Sequence, residues 1–327
     1  MSNYSIGIDL GGTKILTGIV DLKTGKVIDS YKKSTKKELG RDVIVQRVID
    51  ATEKAICKAQ IPLSKITSIG IGVPGQVDRE NGVLISAPNL NCYDVDLKFI
   101  LERHFNIPVV VGNNIEVATL GEKTYGSGVG YKNFVGIFVG TGVGSGIVQN
   151  GEQYLGATGT AGEIGHIIVD SGGRLCSCGG HGCLEAYASR SAIERKILAA
   201  LKKGHASIIS NEIKDGESVQ CIHLKHAVDE GDDLVINAIT EAAEYLSSGL
   251  ATVINFYNPD LIILGGALIE MVDLFYDLTI KMTVGKSLPT PSANVKITKA
   301  ALGDFSGVVG ASLLHKVYAE HTEKVKI

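Results

Sequence analysis

Short β-branched runs broken by glycine open the chain. Residues 4–9 (YSIGID) and 14–21 (KILTGIVD) predict two strands joined by a tight turn at Leu10-Gly11-Gly12-Thr13, and Val27 to Tyr31 predicts a third. The period then changes. Val45, Val48, Ile49, Thr52, Ile56 and Ala59 recur at helical spacing and predict an amphipathic helix over 42–59 whose stripe is core. Buried strands follow at Ile66–Val73 and Pro108–Val111, with helices at Leu97–Phe105 and Ala118–Lys123. From Phe134 the opening pattern returns as FVGIFVG, TGVGSG and IVQNG, about 130 positions after its first appearance, a weak internal duplication. Residues 190–230 predict helices and loops without chemistry, and His205, His223 and His226 there read as surface side chains. A long helix spans Leu234–Phe256 and ends before Pro259. Strands at Leu261–Leu264 and Val295–Ala300 precede a glycine- and alanine-rich helix from Ser306 to Lys316 that should pack closely. Strands alternating with helices predict an α/β protein.

Composition sharpens this into a two-domain globular reading. The chain has 327 residues, 44% of them apolar, enough for two sizeable cores. A net charge of -3 and a pI near 6.3 argue against a nucleic-acid partner. No apolar run reaches the length of a membrane span, and the N-terminus lacks a signal-peptide pattern, so the expected location is the cytoplasm. Three of the six cysteines, Cys57, Cys92 and Cys221, lie far apart, which favours free thiols over disulfides. The forty glycines cluster where strands turn.

The other three cysteines carry chemistry. His166, Cys176, Cys178 and Cys183 follow the spacing H-x9-C-x-C-x4-C, with glycines at 172, 173, 179, 180 and 182 that let a short loop curl round an ion. One imidazole and three thiols form a ligand set for tetrahedral zinc. Glu163 and Glu185 flank the loop and would supply acceptors to a polyhydroxyl ligand; the alternative is a structural zinc knuckle with its acids in solvent. At the first turn, the amides of Gly11 and Gly12 can approach phosphate oxygens, Thr13 and Lys14 add a hydroxyl and a cation, and Asp9 at the turn's mouth could hold Mg2+ through water. An ordinary hairpin is the competing reading. Gly70-Ile71-Gly72-Val73-Pro74-Gly75 is a literal G-x-G-x-x-G, yet Pro74-Gly75 leads into a turn-like stretch with no helix, so a dinucleotide fingerprint is rejected.

The run GEIGH followed by C-x-C-G-x-x-G-C-L-E resembles the sugar and zinc signature of the ROK family of bacterial sugar kinases and sugar-responsive repressors, and the likeness covers nearly the whole chain. The resemblance implies a two-lobed actin-like (hexokinase and heat-shock ATPase) fold with ATP and sugar in a cleft between the lobes, a small α/β lobe of residues 1–112 plus about 306–327 and a large α/β lobe of 113–305 with the zinc loop. It implies that His166 binds zinc through one nitrogen and a sugar hydroxyl through the other, with Glu163 and Glu185 accepting from the sugar. By the same likeness Gly75, Asn89 and Asn113 lie against the sugar, Thr141 and Gly142 reach the phosphates, and Gly265 and Gly266 border adenosine. The family often carries Trp where this chain has Cys92.

At one position the resemblance breaks. The family's E-N-D-A-N segment, whose Asp is the general base, reads Gly112-Asn113-Asn114-Ile115-Glu116 here, and an asparagine at 114 cannot take a proton. Three readings stand: an engineered replacement that traps substrate, a natural sugar binder of low activity, or a neighbour such as Glu116 in the base's place. The implied activity is ATP-dependent phosphorylation of a hexose, glucose first, with fructose, mannose, allose and N-acetylhexosamines in range. ATP, Mg2+ and structural Zn2+ are the implied cofactors, and a homodimer or homotetramer the implied assembly. A repressor of this family carries a DNA-binding segment ahead of the phosphate turn, whereas Asp9 lies only eight residues from Met1, so the kinase is expected.

Overall fold

The computed structural model describes residues 4–214 and 217–324. They fall into two compact units, one running to Gly130 and resuming at Asp304, the other spanning Tyr131–Gly303. In the first unit the strands are β1 (Tyr4–Leu10), β2 (Lys14–Asp21), β3 (Val27–Ser34), β4 (Ile66–Val73), β5 (Gln76–Asp78), β6 (Val83–Ala87), β7 (Cys92–Asp96) and β8 (Val109–Asn113). In the second they are β9 (Phe134–Val139), β10 (Val143–Gln149), β11 (Glu152–Tyr154), β12 (Leu261–Gly265) and β13 (Lys296–Lys299).

The two main sheets repeat one plan. Their orders are β3-β2-β1-β4-β8 and β11-β10-β9-β12-β13. In each, the first three strands form an antiparallel meander and the last two run parallel to its opening strand. The duplication visible as a recurring strand, glycine turn and strand thus extends to whole sheets. Both central pairs are buried on two faces, which is why they read as continuous apolar runs: Ile6, Ile8, Ile69 and Ile71 have no exposed surface, nor have Ile137, Ile262 and Leu264.

Helices cover the sheets where the stripes predicted them. Arg41–Ala59 buries Ile44, Val48, Ile49 and Thr52. Asp233–Tyr257 buries Ile239, Leu246, Leu250 and Ile254, and starts where the Asp232 carboxylate accepts from the Val235 amide. The helix Ser306–Lys324 lies so close to its neighbours that a methyl on Gly7 would sit 1.8 Å from the Val308 carbonyl oxygen, and one on Gly310 1.5 Å from that of Val117. That contact moves the domain division. The helix Asn114–Tyr125 packs against Ser306–Lys324 and belongs to the first unit, so the boundary falls at Gly130/Tyr131, not at 112/113.

Several elements escaped the pattern, among them a strand and a helix. Residues 76–78 form a short strand where a turn was expected, completing a three-stranded sheet with β6 and β7. Asp273–Lys286 is helical, with Phe275, Thr279 and Thr283 buried at spacing four. Two of these three are threonines, whose hydroxyls donate to the carbonyls of Phe275 and Thr279 at 2.7 Å, so no apolar period marks the helix.

Candidate functional site

Parallel strands collect functional groups at their carboxyl ends. In the first unit, Asp9 on β1 stands level with Gly72 on β4, and Val73 level with Asn113 on β8, so the predicted residues of this unit share one sheet edge.

Asp9 is the next-to-last residue of β1, at the mouth of the turn as expected, and it is half-buried there. The helix starting at Ser306 brings Gly307 against it, 2.8 Å from the Asp9 Cγ for a would-be methyl. Some of its surface remains accessible, but the dense surroundings strip its hydration. Burial raises its pKa from 3.8 to about 6, against the pull of Lys14, with Asp304 adding to the rise. Lys14 itself points back to Asp304, Nζ to Oδ1 at 2.5 Å, while Lys32 donates to the other oxygen at 3.3 Å. Burial works against the Asp304 charge, yet these two cations outweigh it and hold its pKa below the usual value. Asp304 was not anticipated, because 290 positions separate it from Lys14 and no local motif announces it. The turn itself is pinned by Thr35, whose hydroxyl donates to the Gly11 carbonyl at 2.7 Å and whose amide donates to that of Thr13 at 2.9 Å. The Asn89 amide nitrogen lies 3.9 Å from the position of a Gly12 methyl, so that side chain reaches the turn.

Asn113 and Asn114 sit where β8 passes directly into the helix Asn114–Tyr125. Asn113 caps that helix. Its Oδ1 accepts from the amides of Ile115 at 2.9 Å and Glu116 at 3.3 Å, and its Nδ2 donates to the Gly75 carbonyl at 3.1 Å. Both polar atoms of Asn113 thus serve the scaffold, and its part in presenting Asn114 is positional. Gly75 has φ 93°, in the left-handed region. Glu116 is bonded to Arg79 at 2.5 Å, with only 15% of its side chain exposed. Its carboxylate is thus already engaged by a cation. Cys92 is buried in the core, with its thiol donating to the Leu90 carbonyl.

In the second unit four ligand atoms converge. His166, Cys176, Cys178 and Cys183 present theirs within 4.8 Å of one another. The Cys178 and Cys183 sulfurs are 3.7 Å apart, as are the Cys176 sulfur and the His166 Nδ1. A tetrahedral zinc with about 2.3 Å bonds to sulfur requires sulfur edges of about 3.8 Å, so the residues fit the ion. The Gly180 amide donates to Cys178 and lowers its pKa, whereas burial, then the neighbouring thiols, push Cys183 up to about 12. With Nδ1 turned to the thiols, His166 keeps Nε2 for another partner.

Glu163 is exposed, and among the described residues its carboxylate has no bonded partner. Glu185 is committed on both oxygens, to the Ser177 hydroxyl at 2.8 Å and the Val143 amide at 3.0 Å, yet a carboxylate retains further lone pairs. Thr141 and Gly142 form the turn between β9 and β10. There Arg190, itself buried, donates its backbone N–H to the Gly140 carbonyl at 2.9 Å and its guanidinium to the Thr141 hydroxyl at 3.4 Å. Arg190 also bonds Glu194 and the Val219 carbonyl. A lone Arg opening a helix carried no sequence signal. Gly265 ends β12 beside Phe138 of β9, and Gly266 follows it, against Val139.

Two like sheets, each with a glycine turn after its first strand, define the two-lobed actin-like class of α/β proteins. The solved ROK glucokinase from Streptomyces griseus, in complex with glucose and AMPPNP, is similar to this chain at a TM-score of 0.84 and 30% identity, over 96% of this chain and 99% of that one. The chain belongs to the ROK family, whose model matches residues 5–317. It is 30% identical to a glucokinase of Thermotoga maritima over 95% of its length and 96% of that protein's. It is also 34% identical to a putative xylose repressor of a Caldicellulosiruptor species, over 93% of this chain and 76% of the repressor. Among the described residues no helix is long and apolar enough to cross a membrane.

Proposed function

We propose that the chain is an ATP-dependent hexose kinase, with glucose as first substrate and fructose, mannose, allose or N-acetylhexosamines as alternatives. The observation that carries the reading is whole-length likeness to a glucokinase solved with glucose and a nucleotide analogue. Glu163, His166 Nε2 and Glu185 would accept from or donate to sugar hydroxyls, with Asn89 beside the first glycine turn. The amides of Gly11, Gly12 and Gly142, with Thr13, Lys14 and Thr141, would cradle phosphates. Asp9 is the residue that would hold Mg2+, which offsets charge on the transferring phosphoryl group. His166 and the three cysteines would hold zinc as a brace for the sugar-binding loop.

In the transfer, a sugar hydroxyl oxygen bonds to the terminal phosphorus, the bond from that phosphorus to its bridging oxygen breaks, and ADP departs. The hydroxyl proton must leave. Asn114 can orient the hydroxyl through its amide oxygen but cannot accept the proton, so the proton passes to solvent or phosphate and turnover is slow. This one residue also supports a second reading, a sugar binder of low activity. Thermal shift against a panel of hexoses, run beside a coupled ADP-release assay, separates them. Sugar stabilisation with measurable ADP supports the kinase, stabilisation alone supports the binder, and neither overturns both.

A further inference from the structure

The metal loop and the second glycine turn are joined through one carboxylate. Ser177 sits between two of the four convergent residues, Cys176 and Cys178, so metal ligation on both sides would fix its hydroxyl. That hydroxyl donates to Glu185 Oε1 at 2.8 Å, and Glu185 Oε2 accepts the Val143 amide at 3.0 Å. Val143 is the first residue of β10, immediately after Thr141 and Gly142. Steric fit reinforces the link: a methyl on Gly142 would lie 2.3 Å from Glu185 Oε2, and one on Gly165 2.1 Å from the Val143 carbonyl oxygen. A carboxylate bonded at both oxygens has its plane fixed, and here one bond comes from the metal loop and the other from the turn.

We propose that Ser177 is a positioning residue that transmits the order of the metal loop through Glu185 to the glycine turn at 140–143, so that metal occupancy governs nucleotide affinity as well as sugar affinity. The nucleotide arm rests on the kinase reading; the transmission itself does not. A hydroxyl bonded to a charged acceptor is the stronger kind of hydrogen bond, and Ser177 lies outside the set that touches substrate.

The test uses the full-length zinc-loaded protein and reads amide hydrogen exchange at Val143, with metal content measured in parallel. Ser177→Ala should keep its metal and speed Val143 exchange by roughly 5- to 30-fold, the loss of one charge-assisted bond. Ser177→Thr, which keeps the hydroxyl, should restore slow exchange. Chelating the metal from the unsubstituted protein should speed Val143 by a similar factor, and both treatments should weaken AMPPNP binding. Unchanged Val143 exchange in metal-retaining Ser177→Ala, or in the chelated protein, overturns the proposal. An unsubstituted protein that binds no AMPPNP, while Val143 responds as described, would overturn the kinase reading alone.

Discussion

Asp9 should cost the protein stability, and replacing it with Asn should return some. Its pKa rises from 3.8 to about 6, a shift of about two units, because burial against the helix at Gly307 disfavours the charged form. At ~1.4 kcal/mol per unit the full shift corresponds to about 3 kcal/mol, and partial solvent access with the nearby Lys14 reduces the expected effect to ~1–2 kcal/mol. The sign follows from linkage. A raised folded-state pKa gives a contribution that is complete below pH 3.8 and is lost as pH climbs through about 6. Asp9→Asn, which does not titrate, escapes that loss. Thermal unfolding in EDTA and without nucleotide should therefore show the variant more stable by about 1.5–3 °C at pH 7.5, with the advantage shrinking below pH 6. The same variant should lose the additional stabilisation that Mg2+ and AMPPNP confer together. A variant less stable at pH 7.5, or a difference that does not change between pH 4.5 and 7.5, would refute the reasoning.

The remaining predictions concern metal, charge and packing. Elemental analysis of protein prepared without chelator should find one zinc per chain, and binding should weaken on acidification because the three thiols must ionise; absence of zinc contradicts the ligand assignment. Arg190→Ala should destabilise by about 3 kcal/mol in urea, since it removes the guanidinium from the Glu194 carboxylate, the Val219 carbonyl and the Thr141 hydroxyl; a loss under about 1 kcal/mol would make the network incidental. Gly310→Ala should destabilise by ~2 kcal/mol or more, because its methyl would fall 1.5 Å from the Val117 carbonyl oxygen; an unchanged unfolding midpoint refutes that close approach.

Elements were legible where burial imposes a period. The strand Ile66–Val73 has its predicted limits, and the strands Tyr4–Leu10 and Leu261–Gly265 and the helix Asp233–Tyr257 differ from theirs by one residue at one end or both. The helix Asp273–Lys286 was illegible because buried threonines satisfy their hydroxyls locally and look polar in sequence. The metal ligands were legible because they are close in sequence and chemically distinctive. Asp304 and Arg190 were not, since each acts on a turn far from it along the chain. Asn113 shows a subtler limit: its place beside Asn114 was visible, but its commitment to capping a helix and holding Gly75 depends on where that helix begins.

The central claim is that this is a sugar kinase site lacking its base, and turnover with glucose and MgATP in the unsubstituted protein and in Asn114→Asp tests it most directly. The account predicts slow transfer in the former and a rise on the order of 10²- to 10⁴-fold in the latter, with glucose affinity little changed. Fast transfer by the unsubstituted protein, with no gain from Asn114→Asp, would contradict it.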